Sequence, residues 1–200
     1  MTALPPFQDV LESKAEKDSP LATTLTLLFE SSPILYSDLL PGVATYIASA
    51  PSKPASYGEL IDATLVVASK WDPTLKASFI AGHPRIGEVS GLSRLSKKEQ
   101  AARATPPEVL ARLTHLNACY EHRYPGLRYI TFVNGRSRAE IKDEMEGVLG
   151  LEHSLSPDQP PVETVGSVEA GSEEWTKELE RAVGDLGKIA HSRLKALGAA

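Results

Sequence analysis

Apolar residues in this chain recur at intervals of three and four, the spacing that places side chains on one face of an α-helix. Leu60, Ile61, Thr64, Leu65, Val67 and Ala68 form one such face, and Val109, Leu110, Leu113, Leu116, Asn117 and Tyr120 form a second. A third joins Trp175, Leu179, Ala182, Val183, Leu186, Ile189, Ala190 and Leu194, with Gly198 placed to end the helix. Segments 7–17, 20–31, 33–49 and 73–81 carry the same pattern, the third interrupted around Pro41. Helix starts are marked by capping-box spacing at Ser56-x-x-Glu59, Ser96-x-x-Glu99 and Ser137-x-x-Glu140. Thr105-Pro106-Pro107-Glu108 adds proline at first-turn positions.

Strand-like sequence is confined to Arg128–Val133 (RYITFV), bounded by Gly126 and Asn134-Gly135. One such segment cannot build a sheet, so the expected fold is an all-α multi-helix bundle with a single extended connector. Gly150 to Gly171 has no period and is rich in Pro, Ser, Gly and Glu, which predicts a surface loop or flexible insertion. Two hundred residues suffice for one core, so residues 1–200 are expected to form a single domain.

Composition narrows the partners. Net charge is −5 and the basic residues are scattered, which argues against nucleic acid, whose phosphates need concentrated Lys and Arg. Cys119 is the only cysteine, excluding an internal disulfide or a Cys-based zinc site; within its helical pattern it reads as a small buried hydrophobe. No run approaches the roughly 20 apolar residues of a membrane span. The start MTALPPFQDVLESK lacks the regions of a secretory leader, and the end LGAA is not an SKL-type peroxisomal address, so the cytoplasm is expected.

Candidate chemistry centres on Ala81-Gly82-His83-Pro84-Arg85-Ile86-Gly87. A residue before proline is pushed out of the α region, which predicts His83 at a helix end with its side chain outward. It is either a loop residue or a catalytic group. Glu99 is likewise either the capping partner of Ser96 or a catalytic carboxylate. His115 and His122 lack the spacing and the third ligand of a metal site, and His153 and His191 read as solvated. Gly135-Arg136-Ser137-Arg138 is either an anion-binding helix start or a capped turn.

Taken in order, several segments resemble the family of 2-oxo-4-hydroxy-4-carboxy-5-ureidoimidazoline (OHCU) decarboxylases of urate breakdown. They are Phe29-Glu30-Ser31-Ser32-Pro33, Gly82-His83-Pro84-Arg85-Ile86-Gly87, Ser96-x-x-Glu99-Gln100 and Leu116-Asn117-x-x-Tyr120. Tyr124 to Val133, Gly135-Arg136-Ser137-x-Ala139-Glu140-Ile141 and Ile189-Ala190-x-x-Arg193-Leu194 extend the resemblance over about 29–197. It implies a cofactor-free carboxy-lyase that makes (S)-allantoin, with no metal and as a homodimer. His83 would be the catalytic histidine and Glu99 its acid/base companion. Pro84, Ser96 and Gln100 would shape the pocket, and Tyr129, Ile130, Thr131, Phe132 and Val133 would offer unpaired backbone groups to the substrate. Val148 stands where the family pattern has an arginine, with Arg136 or Arg138 the candidate replacement. The other class of reading is a non-catalytic helical binding or scaffold relative.

Overall fold

The computed structural model describes residues 3–88, 93, 95 and 105–199, and every regular element among them is helical. In chain order these are α1 (Phe7–Leu11), α2 (Pro20–Phe29), α3 (Leu40–Ser49), α4 (Tyr57–Ser69), α5 (Pro73–Ile80), α6 (Pro107–Arg123), α7 (Arg138–Leu149) and α8 (Glu173–Ala196). A π-helical turn, Leu35–Leu39, runs into α3, and a 3-10 turn spans Val162–Thr164. The all-α expectation holds.

Local chemistry explains the helix boundaries. Ser19 caps α2, its Oγ accepting from Ala22 N at 3.1 Å, and Asp72 caps α5 by accepting from Thr74 N and Leu75 N at 2.8 and 3.0 Å. Ser137 and Glu140 form a complete capping box at the start of α7. At α4 only half of the box forms. Ser56 Oγ accepts from Glu59 N, while the Glu59 carboxylate accepts from Ala55 N at 2.8 Å.

Two boundaries depart from the hydrophobic pattern. α1 stops at Leu11 rather than continuing to 17, because the residues after it supply almost no apolar face. Ser13 Oγ there donates to Asp9 O at 2.8 Å and accepts from Leu21 N at 3.1 Å, diverting backbone groups from a longer helix. At Pro41 the chain does not break. The preceding turn widens into the π-helical Leu35–Leu39, which makes room for the proline ring and its missing N–H donor.

The chain divides into two units, Met1–His83 with Val183–Ala200, and Pro84–Ala182. Unit one buries Leu21, Leu25, Leu28 and Phe29 of α2 with Leu60 and Ile61 of α4, Phe79 of α5, and Leu186 and Leu194 of α8. A Cβ at Gly187 would lie 2.6 Å from Leu65 Cδ1, so α8 approaches α4 only because that position has no side chain. Arg193, buried in α8, reaches Glu30 Oε1 at 2.7 Å and Leu28 O at 3.3 Å, satisfying a carbonyl near the end of α2.

Unit two packs α6 with α7 and the start of α8, burying Leu113, Leu116, Cys119, Tyr120, Ile141, Met145 and Leu179. Tyr120 and Tyr129 meet edge to face at 5.2 Å. Cys119 is buried as expected, and burial pushes its thiol pKa up. Its Sγ lies 3.3 Å from His115 Nε2.

The segment from 150 to 171 is not the weakly held loop that its composition predicts. Arg112, 1% exposed, donates to Ser156 O at 3.1 Å and to Gln159 O. His115 Nε2 lies 2.9 Å from Pro160 O, and Lys142 Nζ donates to Ser154 O at 3.2 Å. Val165 is buried, and Val168 N donates to Arg123 O at 2.7 Å. The segment is a strap fastened to α6 and α7 through its own peptide groups. Among the described residues, no helix is long and apolar enough to cross a membrane.

Candidate functional site

His83 follows α5 in a tight turn, with Gly82 N donating to Phe79 O at 3.1 Å and His83 N to Ile80 O at 3.0 Å. A Cβ at Gly82 would sit 2.9 Å from Ser32 Cβ, so the chain near Ser32 comes this close only against a glycine. The outward-facing histidine expected from the sequence is corrected here: His83 is 3% exposed. Pro84 restricts the backbone of His83 but says nothing about what packs around its ring.

His83 closes unit one, and Pro84, half-buried, opens unit two. Within unit two the rest of the turn is fixed by α6. Asn117 Nδ2 donates to Ile86 O at 3.0 Å and to Leu113 O at 2.7 Å. Arg85 makes a two-pronged pair with Glu121, Nε at 2.6 Å and a terminal nitrogen at 3.0 Å, and those bonds raise its pKa. Gly87, at φ +87°, lies against Leu113, where a Cβ would come within 3.2 Å of Leu113 Cβ. Arg128 carries the opposite shift, its pKa lowered by burial and by the nearby charge of Arg85.

The connector Tyr129–Val133 lies between α6 and α7 with no regular structure. The expectation that its carbonyls stand unpaired is corrected for three of the five. Ile130 O accepts from Arg181 at 3.0 Å; Phe132 O and Val133 O accept from Arg136 at 2.5 and 3.0 Å. The reason is local: two arginines flank a segment rich in acceptors, and a guanidinium can hold several at once. Arg136 also takes Thr131 Oγ1 at 3.0 Å and pairs with Glu144. Glu144 accepts from the Tyr129 hydroxyl at 2.6 Å and from Thr131 Oγ1 at 2.9 Å. Burial pushes the Tyr129 pKa up to about 12, so its hydroxyl stays protonated and donates. Arg181 is held in turn by Glu178, which also accepts from Tyr120 at 2.6 Å, and lies 5.5 Å from the centre of the Tyr129 ring.

Among the described residues, one group has metal-ligand geometry: Asp143, Glu146 and His153, with ligand atoms within 4.8 Å of one another. A cation already sits there. Lys142 Nζ lies 2.6 Å from Asp143 Oδ1 and 2.8 Å from Glu146 Oε2. His153 is 68% exposed at its side chain, yet its Nδ1 is 3.1 Å from Glu146 Oε2. It is therefore not simply solvated. His191 is similarly paired, 3.1 Å from Asp62.

Of the residues singled out from the sequence, Ser96, Glu99 and Gln100 lie outside the described residues. Tyr129, Ile130, Thr131, Phe132 and Val133 share one hydrogen-bonded cluster with Arg136, Glu144 and Arg181. Sequence reasoning missed Asn117 and Arg181 as site-building residues. Asn117 stood out as a polar residue on an otherwise apolar face and as part of Leu116-Asn117-x-x-Tyr120, without a role at the site, and nothing in the spacing pointed to Arg181. Arg136, a candidate for the arginine absent at Val148, is instead committed to the connector.

No curated protein gives a significant match to the chain. The sequence model of one family does match, that of the OHCU decarboxylases, over residues 14–154, and the chain belongs to that family of carboxy-lyases.

Proposed function

From this membership we propose that the protein decarboxylates OHCU to (S)-allantoin without a cofactor. The carrying observation is the family match over 14–154, which takes in the His83 turn, Glu99 and the connector. The bond to the carboxylate breaks, and its electron pair passes into the neighbouring C=N of the ring while CO2 leaves. The resulting enol is protonated on one face of the ureido-bearing carbon, and that face sets the (S) configuration. His83 and Glu99 are the proton-handling pair in this reading, with Pro84, Ser96 and Gln100 shaping the pocket around them. We read the two units as parts of one decarboxylase domain, because the matched sequence runs unbroken from one into the other. We further take the protein to act as a homodimer with a small ureidoimidazoline as its ligand, by likeness to the family, and to work in the cytoplasm, the compartment expected from its sequence.

Circular dichroism of freshly generated OHCU tests the reaction. The wild-type protein should speed the appearance of the (S)-allantoin signal. Because His83 is buried, His83→Gln is a better probe than His83→Ala, since it preserves more of the side-chain volume. Both His83→Gln and Glu99→Gln should lose ~10²–10⁴-fold in rate. An active Glu99→Gln enzyme would return Glu99 to a capping role, which glutamine also fills. Full turnover by His83→Gln would remove histidine from the proton transfer.

A further inference from the structure

Three of the connector's five carbonyls are held by guanidinium groups, which fixes those peptide planes. Arg181 takes Ile130 O, and Arg136 takes Phe132 O and Val133 O. The only cis peptide among the described residues is Gln159-Pro160, so the three peptides involved here are trans. In a planar trans peptide the C=O and the following N–H point in opposite directions. The N–H groups of Thr131, Val133 and Asn134 are therefore directed away from the oxygens that the arginines hold.

We infer that Arg136 and Arg181 are positioning residues that orient the connector so that its N–H groups, at Thr131, Val133 and Asn134, read the oxygen acceptors of the substrate. The inference rests on the proposed reading that this connector meets OHCU. Three backbone donors suit the ligand's carboxylate and carbonyl oxygens, and they discriminate against a partner that offers only N–H groups. The arginines are themselves held. Arg181 is gripped by Glu178 at 2.9 and 2.8 Å, and Arg136 is paired with Glu144, which also anchors Tyr129 and Thr131. The Ile130–Thr131 and Phe132–Val133 planes thus rest on two ion pairs rather than on a neighbouring strand, while the Val133–Asn134 plane is also held by the Arg136 backbone N–H, which donates to Val133 O at 3.0 Å. Lysine at either position would keep the charge but lose the planar fork that spans several acceptors.

The test combines amide spectroscopy with kinetics. On saturating the 15N-labelled wild-type protein with (S)-allantoin, the amide resonances of Thr131, Val133 and Asn134 should shift. Arg181→Lys and Arg136→Lys should raise KM for OHCU by about tenfold, the effect of losing roughly one well-placed hydrogen bond, with kcat within about twofold of wild type. If allantoin shifts other amides and leaves these three unmoved, the inference fails, whatever the variants do. Unchanged KM in both folded lysine variants would also overturn it, while leaving the decarboxylase reading intact. A wild-type protein that does not turn over OHCU would sink that reading, and this one with it.

Discussion

Glu146 is fully buried, and its carboxylate meets four partners: Arg112 Nε at 2.7 Å, Ser154 N at 3.1 Å, Lys142 Nζ at 2.8 Å and His153 Nδ1 at 3.1 Å. Burial pushes its pKa up, but its hydrogen bonds with Lys142, Arg112 and His153 outweigh burial and hold the pKa below the ordinary value. A carboxylate depressed on folding stabilises the protein fully above its unfolded pKa of about 4.3. That contribution is lost as pH falls through the lower folded value. Glu146→Gln should therefore cost ~3 kcal/mol at neutral pH, where it strands two buried cations. The gap from wild type should narrow below about pH 4 as the native carboxylate protonates. Urea denaturation of both proteins at pH 7 and pH 3 would show it, and a gap independent of pH would mean that the charge of Glu146 does not matter. The cluster was not legible in the sequence. Arg112 and Glu146 are 34 residues apart, and each reads alone as a charged residue on a solvated helix face.

At the scale of elements, the helices were the legible part. Their apolar period, caps and prolines survive as α2, α4, α5, α6, α7 and α8 with small shifts at the ends. The π-helical turn was half legible: Pro41 marks the disturbance, but whether a chain breaks or widens there depends on what packs around it. The strap was illegible for a plainer reason. Its fastenings are the carbonyls of Ser154, Ser156, Gln159 and Pro160, groups that every sequence carries. Composition speaks only of side chains. Loop-closure entropy alone would let the strap be shortened almost without effect, since that cost changes slowly with length. The contacts predict otherwise, because replacing 152–164 by a short Gly/Ser linker leaves the buried guanidinium of Arg112 without two of its acceptors. The expected loss is ~3 kcal/mol, or ~6–12 °C in Tm for a chain of this size. An unchanged Tm would mean that the strap is not seated on Arg112. Within the candidate site, the connector was found from its β-branched and aromatic run. The arginines that orient it were not: Arg181 is about 50 residues further along the chain, and Arg136, just past the connector, read as part of an anion-binding helix start or as a replacement for the arginine absent at Val148.

On the scale of the whole molecule, the family match ends at residue 154, before α8 begins. Yet α8 buries Trp175 and Leu179 in unit two and Leu186, Ile189 and Leu194 in unit one. Burial of such side chains contributes ~1.5–3 kcal/mol each, so their sum rivals the ~5–15 kcal/mol that stabilises a typical domain. A chain ending at Ser154 should thus lack a cooperative thermal transition even though it contains all of the matched sequence. A sharp melt of that truncated chain, followed by far-ultraviolet circular dichroism, would refute this. The same division of the chain bears on its synthesis. Unit one is assembled from Met1–His83 and Val183–Ala200, so its first five helices leave the ribosome long before the turns of α8 that cover them. At ~5–20 residues per second the wait is about 5–20 s. Throughout it α2 and α4 can pack with α1 and α3 but lack the turns of α8 that complete unit one, so the newborn chain exposes apolar surface that the finished protein covers.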